Sequence, residues 1–389
     1  MRIGIFSECY QPTLNGVVVS TDTFKDELTK MGHEVFVFAP KTKGFVDKDP
    51  SHVFRYPSTT LFGPNDYPIG FPMFAPAITK KAKELDLDII HAQHSLAMIS
   101  HSALKIARQL NIPIVHTYHT LLTDYVHWKI GASLGRWYVK DKSTKFCNKC
   151  DQIIAPSTPM KKIVEAYGVK TPIEVIPTGI DLKEFQNPFS RQELFEKWQV
   201  PKDKKILLYL SRIASEKNLD FLFEAVAKIS KNRKDFHLLL VGGGKELPKF
   251  KLKAKKNGID SITTFADKQP KEIANRIFPA ADIFVFPSFT ETQGIVIAEA
   301  MAAGAPAVAV NKMGPTDIIK DGVDGYLTDL KIDEFAGKIE KLLEDDNLRK
   351  KMGRTASEYV EEFSVEACAK KMENLYERLA SYYSPKPNA

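Results

Sequence analysis

The chain has 389 residues, of which 43% are hydrophobic and 26% charged, and carries a formal net charge of +7. That length suits two domains with a core each, and the composition is globular, which excludes a disordered, fibrous or membrane-embedded chain. The basic excess is too weak to argue for nucleic acid and suits an anionic substrate or an anionic membrane surface.

The first residues, Met1-Arg2-Ile3-Gly4-Ile5-Phe6, run straight into an expected strand and do not read as a signal peptide. Short β-branched runs then alternate with longer amphipathic stretches. Strands are expected at 2–6, 34–38, 88–91, 113–117, 152–155 and 174–176, with helical patterns at 17–31, 95–110 and 158–167 between them. The second half repeats the alternation, with strands at 205–210, 236–241, 261–265, 282–286 and 306–310. Residues 332–383 are almost entirely helical pattern, and 384–389 read as a frayed tail. The alternation implies an α/β fold, with parallel sheets covered by helices on both faces. The break between halves falls near Pro177-Thr178-Gly179-Ile180-Asp181. The longest apolar run, 294–310, contains Glu299, Gly304 and Pro306, so it divides into a helix and a strand and any membrane contact is peripheral. Four cysteines (Cys9, Cys147, Cys150 and Cys368) do not make a disulfide scaffold, and a cytoplasmic location is expected.

In parallel α/β sheets, ligands bind beyond the carboxyl ends of the strands. The most informative such end is Glu291-Thr292-Gln293-Gly294-Ile295-Val296-Ile297-Ala298-Glu299, which follows the strand at 282–286. A glycine at a helix start lies between two carboxylates. The helix N-terminus offers a seat for phosphate, and the acids can hold hydroxyls on either side of it. After 205–210 comes Ser211-Arg212-Ile213-Ala214-Ser215-Glu216-Lys217, where Arg212 and Lys217 either bracket a diphosphate or decorate a solvated turn. After 2–6 comes Gly16 at the start of a helix, where the backbone can approach a phosphate or simply turn. His119 follows 113–117 and can bind a sugar hydroxyl, handle a proton near pH 7 or serve structurally. His91, His94, His116 and His127 compete with it. Gly242-Gly243-Gly244 bends the chain tightly or admits a nucleotide, and Asp267 sits at a fifth strand end that can border the base. Cys147-x-x-Cys150 has no second pair to make a zinc site. Asp47-x-Asp49 and Asp86-x-Asp88 read as solvated surface, and no essential metal or other cofactor is expected.

Taken together, these residues resemble the retaining glycosyltransferases of family GT4, and the resemblance covers essentially the whole chain. It implies the GT-B fold: two facing Rossmann-like domains with a deep interdomain cleft and a C-terminal helix crossing back to the first domain. It implies an acceptor-binding domain at 1–178, a nucleotide-sugar-binding domain at 179–365 and the returning helix with its tail at 366–389. By position, Glu299 would hold the ribose hydroxyls. Glu291, with the backbone of Gln293, Gly294 and Ile295, would hold the transferred sugar. Arg212 and Lys217 would clamp the diphosphate, with Gly16 near it and Gly243 and Asp267 also on the donor. His119 would contact the sugar near the reacting carbon. Of these, His119, Arg212, Lys217 and Glu291 are the expected catalytic set. Attack would be front-face, the leaving diphosphate helping to accept the proton.

The acceptor is to be read from the first half. The loop 58–74 is rich in aromatics, Pro and Gly, and 128–146 interleaves Trp128, Trp137 and Tyr138 with Lys129, Arg136, Lys140, Lys142 and Lys145. Such a stretch suits an anionic bilayer surface or an ordinary amphipathic helix. The run from His119 to Trp128, which includes Tyr125, resembles the corresponding stretch of bacterial diacylglycerol glucosyltransferases. It implies a lipid acceptor and UDP-glucose as donor. The alternatives are a GDP-mannose-dependent mannosyltransferase acting on a lipid or soluble sugar, and a nucleotide-sugar epimerase. An NAD-dependent oxidoreductase is disfavoured because no G-x-G-x-x-G follows any strand.

Overall fold

The computed structural model describes residues 1–13, 15–59, 68–71, 76–120 and 132–383. The chain divides into two compact units: Met1–Gly179 with Val365–Ala389, and Ile180–Ser364.

The first unit is built on a seven-stranded parallel sheet: β1 (Arg2–Phe6), β2 (Glu34–Pro40), β3 (Val53–Tyr56), β4 (Ile89–Ala92), β5 (Ile114–Thr117), β6 (Gln152–Ala155) and β7 (Ile173–Val175). Its spatial order is β3-β2-β1-β4-β5-β6-β7. Central strands such as Ile89–Ala92 are buried on both faces, which is why they read as continuous apolar runs rather than alternating ones. The helix Gly16–Lys30 begins at Asn15, whose side-chain oxygen accepts from the Val18 N–H at 2.9 Å, satisfying one donor of its first turn. The chain's last described helix, Val365–Ala380, packs Cys368, Met372, Leu375 and Tyr376 into the same core as Ile3, Ile5, Val18, Phe24 and Leu28. Polar ties fix its register. Tyr376 Oη lies 2.6 Å from His91 Nδ1, His33 Nε2 lies 2.9 Å from Glu373, and Arg378 pairs with Glu174 at 2.6 Å.

The second unit holds a six-stranded parallel sheet: β8 (Lys205–Leu210), β9 (Phe236–Val241), β10 (Thr263–Phe265), β11 (Ile283–Phe286), β12 (Ala307–Val310) and β13 (Gly325–Thr328). Its order is β10-β9-β8-β11-β12-β13. Leu207, Leu239, Phe284, Phe286 and Val308 form the centre of its core.

Several expected boundaries shift for identifiable reasons. β4 starts at Ile89 rather than 88 because the Asp88 carboxylate accepts from the Arg2 N–H at 2.7 Å. β11 likewise starts at Ile283 because Asp282 accepts from the Ile206 N–H at 2.7 Å and pairs with Arg191 at 2.6 Å. The helix expected from 95 begins at Met98. Residues 332–383 are three helices, broken where Asp345 caps Asp346–Tyr359 and again at the 3-10 turn Val360–Phe363. β3 and β13 were not expected. Asp47 is not solvated surface: its carboxylate holds the Arg55 guanidinium at 2.5 Å and 2.9 Å, and both side chains are mostly buried.

Candidate active site

In the second sheet, β8 and β11 are neighbours although β9 and β10 intervene in sequence. The connections leave in opposite directions from this point, which opens a crevice at the carboxyl ends. The loops after these two strands carry Lys217 and Glu291. Lys217 closes the 3-10 turn Ser215–Lys217 and is buried. Its ammonium donates to Glu291 Oε2 at 2.6 Å and lies 5.7 Å from the centre of the Phe286 ring. The next residue, Asn218, adopts a left-handed conformation and its amide donates to the Pro287 carbonyl at 3.2 Å, tying the two loops together. Arg212 is placed differently. Its side chain is 67% exposed and pairs with Glu216 at 3.1 Å, so it shares no partner with Lys217. Of the two expected clamp cations, one is held in the crevice and the other is a surface arm.

The segment from Glu291 is held by backbone contacts. The Glu291 carbonyl accepts from the Gly314 N–H at 2.9 Å. Gly314 is required there, since a Cβ on it would lie 2.2 Å from the Gln293 carbonyl oxygen. Gln293 is buried. Gly294 has φ +89°, the left-handed conformation that glycine adopts without strain, and the helix Ile295–Ala302 follows at once. This turn aims the helix's first backbone N–H groups at the crevice edge. Ile297, Ala298, Ala300 and Met301 are buried on that helix, while Glu299 keeps a partly exposed side chain. Burial pushes the Glu299 carboxyl up to about 7, with Lys271 opposing and Glu184 adding to the shift. Among the described residues its carboxylate has no hydrogen-bond partner.

The glycine run after β9 has a packing reason of its own. A Cβ at Gly242 would lie 1.9 Å from the Ser211 carbonyl oxygen, and one at Gly244 would lie 2.4 Å from that of Ile213. The Gly243 carbonyl accepts from the Ile213 N–H at 2.9 Å. The run lets this loop lie against the one that leads to Lys217. Asp267, also left-handed, gives its carbonyl to the Gly242 N–H at 2.9 Å, and its exposed side chain meets Lys251 at 3.4 Å.

In the first unit the corresponding switch lies between β1 and β4, where Phe6 is level with Ala92. Just beyond it, the Gln93 N–H donates to the Phe6 carbonyl at 3.0 Å. His119 Nε2 lies 2.6 Å from Gln93 Oε1. Burial, with His94 adding, pulls the His119 imidazole down to about 3. It is therefore neutral at pH 7, and the expected role of a proton carrier near pH 7 gives way to that of a neutral hydrogen-bonding group. Of the competing histidines, His91 and His116 are structural, the His94 Nδ1 accepts from the Leu96 N–H at 3.3 Å, and His127 lies outside the described residues. His91 is bonded to Tyr376 and Thr117, and His116 Nδ1 donates to the Ala92 carbonyl at 2.9 Å while the ring packs on Phe146. Gly16 is exposed at its helix start, and a Cβ there would meet nothing within 4 Å. Sequence reading missed Gln93. The signal available was a polar residue immediately after a strand at the switch point.

Of the expected acceptor residues, Tyr125, Trp128 and Lys129 lie outside the described residues. Arg136 and Trp137 are exposed on the helix Ala132–Cys147. Cys147 and Cys150 are buried, and burial pushes the Cys147 thiol up to about 12. Among the described residues no three or more His, Cys, Asp or Glu side chains gather as metal ligands.

The model of the glycosyl transferases group 1 matches residues 190–359, and that of Glycosyltransferase Family 4 matches residues 14–184. An alpha-monoglucosyldiacylglycerol synthase of Streptococcus pneumoniae is 34% identical over 384 residues, covering 97% of this chain and 85% of that one. The enzyme of the same name from Acholeplasma laidlawii is 28% identical over 390 residues, covering 97% and 96%. A crystal structure of Anabaena Alr3699/HepE in complex with UDP superposes with a TM-score of 0.78 at 19% identity, covering 97% of this chain and 100% of that chain, a likeness of fold. With two family models together spanning most of the chain and a relative this similar along nearly all of it, the protein belongs to the group 1, family 4 glycosyltransferases and has their GT-B fold.

Proposed function

We propose that this glycosyltransferase transfers glucose from UDP-glucose to the free hydroxyl of diacylglycerol with retention at the anomeric carbon. The observation that carries the donor half is the Lys217–Glu291 pair at the switch point, with Glu299 the fifth residue of the helix that follows. The acceptor half rests on the two relatives named for monoglucosyldiacylglycerol synthesis.

In this reading Lys217 binds a diphosphate oxygen, and its ammonium neutralises charge as the phosphate leaves. Arg212 swings from Glu216 to add a second, fork-shaped contact. Glu291, with the backbone N–H groups of Gln293, Gly294 and Ile295, receives the sugar hydroxyls, and Glu299 receives the ribose diol. Gly16, Gly243 and Asp267 are assigned to the donor as well, and His119 to a sugar hydroxyl. The bond from the anomeric carbon to the diphosphate oxygen breaks, and the acceptor oxygen bonds that carbon from the same face. The acceptor proton passes to the departing diphosphate. Positive charge comes from Lys217, Arg212 and the helix start, so the reaction is proposed to proceed without a divalent cation. Work on a membrane lipid places the enzyme peripherally at the cytoplasmic face of the membrane.

Purified protein offered UDP-glucose and GDP-mannose in competition, with diacylglycerol in mixed micelles, should yield α-monoglucosyl diacylglycerol. Lipid mass and the anomeric proton coupling identify the product. Transfer only from GDP-mannose, transfer only to a soluble sugar, or a β-linked product would each defeat the proposal. Activity should survive chelation by EDTA, and a loss restored by a divalent ion would remove the metal-free step.

A further inference from the structure

We infer that Gln93 is a positioning residue that fixes the tautomer of His119, placing the ring proton on Nε2 and leaving Nδ1 to accept a hydrogen bond from a substrate hydroxyl. The inference rests on the reading that His119 faces the sugar.

Gln93 is suited to hold a ring. Only 3% of it is exposed, and its backbone N–H is bonded to the end of β1 at 3.0 Å, so its position follows the sheet. His119 leaves the carboxyl end of β5, and β5 pairs with β4, whose Ala92 is level with His116. The two side chains therefore emerge from adjacent strands, and the 2.6 Å contact between Gln93 Oε1 and His119 Nε2 closes between them. An amide oxygen only accepts, so the ring nitrogen facing it must donate. In a neutral imidazole the other nitrogen is then an acceptor, and burial keeps this imidazole neutral. Neither His119 Nδ1 nor the Gln93 amide nitrogen has a partner among the described residues. The pair thus offers an acceptor and a donor, one arrangement for a hydroxyl that both gives and takes a hydrogen bond.

The test begins with the wild-type enzyme. Long-range 1H–15N correlation of histidine-labelled protein, with the His119 signal assigned by its loss in His119→Phe, reports the tautomer without substrate. The Nε2–H form is expected. Gln93→Leu removes the acceptor and should raise the share of the Nδ1–H tautomer, while Gln93→Glu keeps an acceptor and should retain Nε2–H. A wild-type Nδ1–H form, or an unchanged tautomer in Gln93→Leu, would overturn the inference. Kinetics then separates it from the sugar-facing reading. Gln93→Leu should lower kcat/KM for the nucleotide sugar by about tenfold, the worth of one hydrogen bond. If the tautomer shifts as expected and kcat/KM does not, Gln93 orients His119 but His119 does not face the sugar.

Discussion

Glu299 presents an unusual balance for a site carboxylate. It is pushed up to about 7 by burial, yet its assigned work, accepting two hydrogen bonds from a ribose diol, needs the ionised form. A group raised in this way binds a proton in the free enzyme below pH 7 and must lose it for the diol to bind as drawn. Affinity for UDP-glucose should therefore rise with pH up to about 7 and level off above it. At pH 6 it should be about tenfold weaker than at pH 8, a difference set by the protonated fraction. Calorimetry across pH 6–8 reads this directly, and the dependence should vanish in Glu299→Gln. A flat profile in the wild type would remove Glu299 from the ribose. Lys217 makes a second residue-scale case. Its substitution by Ala removes the held cation and strands Glu291, so kcat should fall by about 100–1,000-fold. Near-normal turnover would mean that Arg212 alone carries the charge. At this scale the sequence was informative about position: Lys217 and Glu291 lie just beyond strand ends, as their order in the chain implies. It was silent on partners. Nothing in the order of residues said that Lys217 meets Glu291, that Arg212 turns to Glu216, or that Gln93 holds His119, because those depend on which strands are neighbours.

The elements that were legible were the buried ones. β8, β9, β11 and β12 read as apolar runs because both faces of a parallel sheet are covered. β3 and β13 lie at the sheet edges: partial burial of β3 admits Arg55, and β13 starts at a buried Gly325 whose Cβ would lie 2.6 Å from the Ala307 carbonyl oxygen, so neither reads as a plain apolar run. The loop from Glu291 to Gly294 shows how an element outside the site shapes it. Gly314 lies just after β12, and its missing side chain is the space in which the Gln293 carbonyl sits. A Gly314→Ala change puts a methyl where backbone already is. The loop must move, and with it Glu291 and the start of Ile295–Ala302. Donor affinity should fall about five- to thirtyfold while circular dichroism and the melting curve keep a folded protein. The magnitude follows from losing one or two hydrogen bonds of about 1 kcal/mol each. Unchanged affinity would show that the loop can yield without moving its ligand groups. The returning helix Val365–Ala380 makes a complementary case. Leu375 is fully buried against the core of β1 and the helix Gly16–Lys30. Leu375→Ala should cost about 2–5 kcal/mol in denaturant unfolding, as large-to-small core changes do.

The whole molecule carries +7, and among the described residues no helix is long and apolar enough to cross a membrane. In the proposed reading the lipid acceptor is met at the bilayer surface, which requires some face of the protein to be attracted to it. The helix Ala132–Cys147 is suited to that work in its described part. Trp137 is 64% exposed and Tyr138 56%, beside Arg136 and Lys142, with Lys142 lying 5.5 Å from the centre of the Tyr138 ring. Aromatic rings prefer the headgroup region, and cations near it gain from anionic lipids. The same helix carries Lys145, which is partly spent on Asp141 at 2.9 Å, so not every basic residue contributes equally. If this face docks, vesicle binding should rise with the fraction of anionic lipid and fall with salt, because the attraction is screened beyond about 8–10 Å at physiological ionic strength. Arg136→Glu changes the local charge by two, and at about 1 kcal/mol per charge near the surface binding should weaken by roughly thirtyfold at low salt. Trp137→Ala should weaken binding with little change in its salt dependence, since it removes apolar contact and no charge. Sedimentation with vesicles of graded phosphatidylglycerol content measures both. Binding that ignores lipid charge and salt, or that is unaltered in Arg136→Glu, would place the acceptor's point of entry on another face of the protein.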